Sequence, residues 1–330
     1  MSKLHIVYAT DKRYLFPTMV ALASAVVRAS RKHDLVIDVL DCGIEDSDWD
    51  VFETVVRQRL GEEFSLVRHV VDMSAYDSMK EWHTSKGIYS RLEIPQILRD
   101  VEWCVYADGD TLFTGDPFVL EGLWDCQYAL MGHADVPDVT QKNWHLERNI
   151  PWDAEHRICA GFILMNLDWF RANDATQKCF EFISKYRPPF NDQDALNYVC
   201  LGKIGLLPDE WGIFTYLVRP ETNGGCFHYV ENRPWQLELG SRIPVNSCKK
   251  IWFDTMRKTV GLPPWKTEWS WWRYALVWIK TAFMVSIYGL LNRMPGIRGR
   301  YDGVRNALWP GKAVEKFYLE QLPIDYRTTH

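Results

Sequence analysis

Apolar and polar residues alternate in blocks between Leu4 and Ala107, and the block lengths suit strands and helices in turn. The predicted strands are Leu4–Ala9, Leu35–Leu40, Phe64–Val71 and Trp103–Ala107, and the predicted helices are Phe16–Arg28, Asp48–Leu60 and Ser90–Leu98. Strands separated by helices are typical of an α/β fold with a mostly parallel, Rossmann-like sheet.

The pattern continues less regularly in the second half of the chain. Two further strands are predicted at Tyr128–Gly132 and Arg157–Asn166, and two helices at Trp169–Tyr186 and Asp192–Cys200. No G-x-G-x-x-G fingerprint follows the first strand, so a dinucleotide-dependent dehydrogenase is unsupported.

Composition narrows the function classes. The 330 residues suffice for one large domain or two smaller ones, and the net charge of -5 gives no reason to expect a nucleic-acid partner. None of the eight cysteines forms a C-x-x-C pair, so we expect reduced, buried, structural thiols. The chain opens directly into a strand without the shape of a signal peptide, which favours a cytosolic protein.

The C-terminal segment differs from the rest, and we divide the chain into residues 1–250 and 251–330. The tail carries 12 Lys and Arg against 6 Asp and Glu and seven of the 16 Trp, whereas residues 1–250 carry 26 basic against 37 acidic residues. Within it, Trp269–Leu291 is nearly all apolar except for Arg273 and Lys280, which would share one stripe of a helix. These two cations argue against a membrane span, and we predict a helix lying in the membrane interface; the alternative is a core helix packed on the domain.

The strongest candidate chemistry is Asp108-Gly109-Asp110, where the apolar run Trp103–Ala107 ends in two carboxylates. Hard divalent cations prefer such oxygens, and a nucleotide diphosphate would complete the coordination shell. Gly109 would let the backbone approach a ribose or phosphate closely. The alternative is a plain strand-end turn, where Asp-Gly is common.

Two other polar segments are weaker candidates. Asp192 and Gln193 open a predicted helix, where they either cap it or face sugar hydroxyls in a cleft. His228 is either a satisfied histidine among aromatic residues or a metal ligand, and Arg233 could contact phosphate oxygens.

Together these motifs resemble glycosyltransferase family 8, which includes bacterial lipooligosaccharide galactosyltransferases and glycogenin. The resemblance runs from about residue 4 to about residue 236 and rests on four segments in order. They are Ile6–Tyr14, then Tyr89–Leu92 with Val105–Asp110, then Ala160–Leu167 with Asp192–Asp194, and finally His228–Tyr229 with Arg233–Trp235.

The resemblance implies a GT-A fold over residues 1–250 and a retaining transfer from a UDP-sugar. It implies a nucleotide site formed by Ala9, Thr10, Asp11, Tyr14, Gly109 and Arg233. It implies that Asp108, Asp110 and His228 bind Mn²⁺, with Mg²⁺ as the alternative. Donor-sugar and catalytic positions would be Arg91 and Asp192 on the sugar hydroxyls and Gln193 near the anomeric carbon, on the face opposite the leaving group. Asp135 would lie near the donor–acceptor junction, and Cys159 would stand at the position of a donor-sugar contact.

The chain departs from the family pattern at three places. Cys159 stands where the family usually has Asn, which implies an altered donor-sugar contact. Arg233 replaces a Lys, and it follows His228 one residue sooner. Arg13 replaces a smaller polar residue near the nucleotide.

The expected function is metal-dependent transfer of galactose or glucose from UDP to a saccharide or lipid-linked saccharide in lipopolysaccharide or other surface-glycan synthesis. The expected place is the cytoplasm, peripheral on the inner face of the cytoplasmic membrane through the tail. A nucleotidyltransferase that makes sugar nucleotides is an alternative, although Ala9–Arg13 lacks the glycine that its loop would need. A catalytically silent, nucleotide-binding membrane scaffold is another. The donor sugar, the acceptor, the linkage and the oligomeric state stay open.

Overall fold

A seven-stranded sheet with helices on both faces forms the frame of the molecule. The computed structural model describes residues 3–81, 85–136, 139–218, 224–230, 233–235 and 247–261, together with residues 279, 283 and 287. The strands are β1 Leu4–Thr10, β2 Leu35–Asp41, β3 Ser65–Val70, β4 Trp103–Ala107, β5 Thr111–Phe113, β6 Leu130–Ala134, β7 Ile158–Asn166, β8 Ile204–Leu206, β9 Trp211–Phe214 and β10 Cys226–His228. The helices are α1 Leu15–Arg28, α2 Asp46–Leu60, α3 Ile94–Ile97, α4 Val139–Leu146, α5 Leu167–Ala172, α6 Ala175–Tyr186, α7 Asn191–Val199 and α8 Ser247–Lys258.

The strand order of the large sheet is β3-β2-β1-β4-β7-β6-β8. The pairs among β3, β2, β1 and β4 are parallel, β7 runs antiparallel to both of its neighbours, and β8 is parallel to β6. The prediction of a mostly parallel α/β sheet is therefore confirmed. A second sheet of three short strands, in the order β5-β10-β9, lies beyond the carboxyl end of β4.

Both faces of the central strands are buried, which explains their continuous apolar runs. In β1, Ile6 contributes to the core on one face of the sheet and Val7 to the core on the other. Helix α1 packs on the first face, and its residues from Leu15 to Val27 are all buried. It is apolar around most of its circumference because β5, α2 and α8 also contact it.

Most predicted elements are present, but two predicted helices are interrupted. The prediction of one helix over Ser90–Leu98 is wrong, because a 3₁₀ helix covers Gly87–Glu93 and only Ile94–Ile97 is α-helical. Pro95 occupies the first turn of α3, where its missing N–H leaves no helical hydrogen bond unmade. The segment Trp169–Tyr186 divides into α5 and α6 at Asp174, whose φ of 51° is left-handed.

Helix α8 crosses the predicted boundary at residue 250. Its residues Ile251, Trp252 and Met256 are buried in the same core as α1, and the hydroxyl of Tyr229 donates to the carbonyl of Cys248 at 2.6 Å. The packed body thus continues to residue 261, while the separate tail stays a prediction. Most of Trp269–Leu291 lies outside the described residues, and no helix within the described ranges has the length and apolar character that a membrane crossing requires.

The cysteines differ in one respect from the prediction. All eight are free, and seven are buried as expected. Cys126 is exposed, because it lies in the turn between Leu123 and Tyr128 rather than in an apolar run, so the expectation of a buried thiol is wrong there.

A charged cluster lies across three adjacent strands, away from the polar end of β4. The side chain of Asp38 on β2 is buried, and its two carboxylate oxygens contact Nδ1 of His5 and Nε2 of His69, each at 2.8 Å. Burial alone would raise the pKa of Asp38, but the two histidine contacts outweigh it and lower the pKa below its ordinary value.

We expect Asp38→Asn to lower the free energy of unfolding by about 1.5–3 kcal/mol at pH 7, since hydrogen bonds to a charged group are lost. A carboxyl whose pKa is lowered by folding stabilises above the pKa of the unfolded chain, and this contribution disappears as the pH falls through the lower folded value. Denaturant titrations at pH 7 and below pH 4 should therefore show a difference between wild type and variant that shrinks in acid. The exposed Asp100→Asn is the control, and a wild type–Asp38→Asn difference unchanged by pH would contradict this assignment.

Candidate active site

A cavity of about 440 Å³ opens where the carboxyl ends of β1 and β4 meet the small sheet. All fourteen site residues predicted from the sequence line it: Ala9, Thr10, Asp11, Tyr14, Arg91, Asp108, Gly109, Asp110, Asp135, Cys159, Asp192, Gln193, His228 and Arg233. The carboxyl edge of an open α/β sheet is where such folds usually bind ligands. The structure thus brings these residues together; their individual roles stay predictions.

The acidic pair and His228 converge because of strand pairing in the small sheet. Asp108 and Asp110 lie between β4 and β5, and β10 pairs with β5 so that His228 lies opposite Thr111. The amide of Tyr229 also donates to the carbonyl of Asp110 at 2.9 Å. As a result, Nε2 of His228 lies 3.3 Å from Oδ1 of Asp110 and 4.0 Å from Oδ2 of Asp108.

The three side chains fit a divalent cation. One ligand atom from each of Asp108, Asp110 and His228 lies within 4.8 Å of the others. Oδ1 of Asp110 is buried, and apart from its ion-pair contact with Nε2 of His228 it has no hydrogen-bond partner among the described residues, as expected of an oxygen that faces a cation site. Two carboxylate oxygens and an imidazole nitrogen are suitable ligands for a divalent metal ion.

Electrostatics distinguish the two carboxylates. Burial raises the pKa of Asp108, in spite of the nearby charge of Arg91. Burial would also raise the pKa of Asp110, but the adjacent imidazole of His228 and the charge of Arg233 outweigh it and lower the pKa. The pKa of Asp110 is therefore lower than that of Asp108.

The buried Arg91 joins the acidic pair to the donor-sugar side of the cavity. Its Nη2 donates to Oδ1 of Asp108 at 3.0 Å, its Nη1 donates to the carbonyl of Ala160 at 2.6 Å, and its Nε lies 3.0 Å from Oδ2 of Asp192. The hydroxyl of Tyr106 also donates to Oδ1 of Asp108, at 2.6 Å. Two donors thus occupy Oδ1 of Asp108, while Oδ2 faces His228.

Asp192 and Gln193 lie in the first turn of α7. Burial raises the pKa of Asp192 to about 6, although Arg91 acts in the opposite direction. The amide of Gln193 is held at both ends: Oε1 accepts from the N–H of Ala160 at 3.1 Å, and Nε2 donates to Oδ2 of Asp135 at 2.9 Å. These partners fix which end of the Gln193 amide points to which side of the cavity.

Asp135, which accepts from Gln193, is itself held by a buried arginine. Nε of the buried Arg157 donates to its Oδ2 at 3.2 Å, and the same guanidinium contacts the fully buried Asp194. Burial nevertheless raises the pKa of Asp135, because it exceeds the effect of the Arg157 charge. Arg157 and Asp194 were not among the predicted site residues. Asp194 belongs to the Asp192–Asp194 segment of the family resemblance, whereas the sequence signal for Arg157 is a charge at the start of an apolar run.

The predicted nucleotide residues form the other end of the cavity. The carboxylate of Asp11 accepts from the amides of Arg13 and Tyr14 at 2.9 and 3.1 Å, which shapes the turn after β1. The guanidinium carbon of Arg233 lies 5.4 Å from the centre of the Tyr14 ring, and its Nε lies 3.7 Å from Oδ2 of Asp110. This places a cation beside the acidic pair, where a diphosphate could displace it from Asp110.

Two of the glycines that line the cavity, Gly109 and Gly161, serve close packing. A Cβ on Gly109 would lie 2.3 Å from Oγ1 of Thr18, so that space is taken by α1. A Cβ on Gly161 would lie 2.1 Å from Cε1 of His228 and 2.8 Å from Oδ2 of Asp108. Gly161 of β7 is therefore a requirement of the metal site that sequence reasoning did not single out.

We expect Gly161→Ala to weaken Mn²⁺ binding about tenfold or more, because its methyl group must push His228 or Asp108 out of place. The decrease of the free Mn²⁺ electron paramagnetic resonance signal on titration with protein measures this affinity. The matched control is Gly122→Ala, since a Cβ there meets nothing within 4 Å. Equal Mn²⁺ affinities for wild type and Gly161→Ala would refute the proposed packing constraint.

Two known proteins resemble this chain over about three fifths of its length. A lipopolysaccharide 1,3-galactosyltransferase of Salmonella typhimurium is 26% identical over 213 residues, which are 61% of this chain and 60% of that protein. A Haemophilus influenzae protein named as a candidate glycosyltransferase is 23% identical over 212 residues, 63% of this chain and 62% of its own length. The chain therefore spans about three fifths of the length of these relatives.

Among solved structures, the galactosyltransferase LgtC in complex with donor and acceptor sugar analogues superposes with a TM-score of 0.64 at 19% identity, over 79% of this chain and 98% of LgtC. This likeness confirms the predicted GT-A fold. The model of glycosyl transferase family 8 matches residues 5–236. Because this match covers most of the chain, the chain belongs to glycosyltransferase family 8.

Proposed function

We propose that this protein is a retaining, metal-dependent glycosyltransferase that moves a hexose from a UDP-sugar to a saccharide acceptor. The observation that carries the proposal is the convergence of Asp108, Asp110 and His228 in one cavity, with one ligand atom of each within 4.8 Å of the others. A nucleotide diphosphate bound through a cation is the ligand class that such a triad serves in this family.

The residues around the triad suit the departure of UDP. Cleavage of the sugar–phosphate bond builds negative charge on the diphosphate, and cations aimed at that charge lower the barrier. Arg233 lies beside Asp110 and can supply one such charge. A bound divalent cation would supply Lewis acidity at the same diphosphate.

The environment of Gln193 bears on how the configuration is retained. A neutral amide is a poor nucleophile, and both ends of this amide already make hydrogen bonds with Ala160 and Asp135. We therefore favour attack of the acceptor on the same face from which UDP leaves, with a UDP oxygen taking the acceptor proton. In this scheme Gln193 lines the opposite face without forming a covalent bond.

Relatives guide the choice of sugar and product. The Salmonella relative is named for transfer of galactose to lipopolysaccharide, and LgtC is a galactosyltransferase. We propose galactose, with glucose as the alternative, and an acceptor in lipopolysaccharide or another surface glycan. Mn²⁺ is the proposed metal, with Mg²⁺ as the alternative.

We expect metal-dependent release of UDP from one UDP-sugar in a panel, even as slow hydrolysis without an acceptor. EDTA should abolish the release, and Asp110→Asn should lower it about 100-fold or more, because a ligand of the charge-stabilising metal is lost. The exposed Asp50→Asn is the matched control and should behave as wild type. Folded protein that binds UDP and Mn²⁺ but releases UDP from no sugar would favour the silent, nucleotide-binding scaffold instead.

We also propose that the C-terminal tail attaches the protein to the inner face of the cytoplasmic membrane. The described tail residues Ile279, Phe283 and Ile287 are helical and recur every four residues. Ile279 and Phe283 are 65% and 64% exposed, which leaves an apolar stripe open to solvent. The excess of Lys and Arg in residues 251–330 favours an anionic lipid surface.

We expect the full-length protein to float with vesicles containing phosphatidylglycerol, and less with pure phosphatidylcholine. Replacing both Ile279 and Phe283 by Glu should weaken binding about tenfold or more, since each apolar side chain that enters the lipid contributes about 1.5–3 kcal/mol. Val70→Glu, at a 76% exposed position on β3, controls for loss of surface apolarity in general. Unchanged flotation of the double variant would rule out this stripe as the attachment site.

A further inference from the structure

One thiol differs from the other described cysteines in facing the candidate active site. Cys159 lies on β7, and its side chain lines the same cavity as the acidic pair. It is only 9% exposed, and its Sγ lies 3.8 Å from Nδ1 of His228. That distance is within the range of a hydrogen bond to sulfur.

The two nitrogens of the His228 ring have different surroundings. Nε2 faces Asp110 and Asp108, as a metal ligand would. A neutral imidazole that binds a cation through Nε2 carries its proton on Nδ1, and the partner of that N–H decides the ring orientation. The structure places the sulfur of Cys159 in that partner position.

Strand β7 supplies two constraints on the same ring. Cys159 and Gly161 are two residues apart, so they face the same side of the strand. Gly161 provides the room in which the imidazole lies, since a Cβ there would overlap Cε1 and Nε2. The ring of Phe214 closes another side, with its centroid 5.7 Å from that of His228.

We propose that Cys159 is a positioning residue for the metal site: its sulfur accepts a hydrogen bond from Nδ1–H of His228 and so holds Nε2 toward Asp108 and Asp110. This inference rests on the proposed metal-dependent function. It assigns the thiol a role in metal affinity, in addition to any contact with the donor sugar. Loss of such a supporting contact lowers metal affinity by about 10–100-fold in other sites. Because sulfur is a weak acceptor, we expect an effect near the lower end.

The test compares Cys159→Ala, which removes the acceptor, with Cys159→Ser, which keeps one. Affinity for Mn²⁺ in the presence of saturating UDP is measured with full-length protein by electron paramagnetic resonance of free Mn²⁺. Cys159→Ala should bind Mn²⁺ about tenfold more weakly than wild type. Cys159→Ser keeps an acceptor on a shorter side chain and should recover part of that loss. Thermal unfolding without metal checks that each variant is folded.

Cys179→Ala is the matched control, because Cys179 is a fully buried thiol on α6 outside this cavity. Equal Mn²⁺ affinity of wild type and Cys159→Ala would overturn the inference. So would equal losses in the Ala and Ser variants, since side-chain volume rather than hydrogen bonding would then be responsible. A wild-type protein that bound no Mn²⁺ would also overturn it.

The outcome is separate from that of the proposed function. Sugar transfer is judged by UDP release, whereas this inference is judged by Mn²⁺ affinity alone. A wild type that binds Mn²⁺ and UDP but releases UDP from no sugar would contradict the proposed transfer and still allow the Cys159 variants to be ranked.

Discussion

The close approach of β7 to the ring of His228 is the constraint on which the candidate active site depends. The imidazole packs directly over Gly161, so the backbone of one sheet carries a side chain of the other. Pairing of β10 with β5 places His228 opposite Thr111 and so fixes the position of its ring along the strand relative to Asp108 and Asp110. Without both contacts, nothing would bring His228 to the acidic pair, which lies far from it in the sequence, so that the three ligand atoms come within 4.8 Å of one another. The small sheet is thus the element that turns a common strand-end acidic pair into a metal site.

This constraint places several charges in a buried space, and the surrounding side chains offset them. Isolated buried charges are costly, so each must have a partner. Arg91 serves both Asp108 and Asp192, and Arg157 serves Asp135. The offset is incomplete on the donor-sugar side, because the pKa of Asp192 still rises to about 6. A carboxyl with this incomplete compensation gains from any ligand that supplies hydroxyl donors, which agrees with its predicted contact to a sugar.

The sequence predicted the large sheet well because its physical signal is local. The strand β4 is apolar throughout, β1 is apolar apart from His5 up to its last residue, and both lead into polar residues, so both their existence and the polar edge of the sheet can be inferred. The three-residue strands β5, β8 and β10 have too few residues for any periodicity, and they were not predicted. His228 could therefore be joined to Asp108 only through the family resemblance. The division of α5 from α6 depends on the left-handed backbone of Asp174, which Asp tolerates without any change in apolar pattern.

The same distinction applies inside the cavity. Residues whose predicted roles depend on charge, such as Asp110 and Arg233, could be proposed from chemistry alone. Gly161 leaves space for the imidazole of His228 on β10, and Cys159 offers that ring a weak hydrogen-bond acceptor. Neither property can be inferred before β7 and β10 are placed together. Because Cys159 and Gly161 are two residues apart in a strand, they face the same side, and a single orientation of the His228 imidazole fits the space over Gly161 and contacts the sulfur of Cys159. A substitution at either position is therefore constrained by the other. Cys159, at a position where the family usually has Asn, thus bears on the support of His228 as well as on the predicted contact with the sugar.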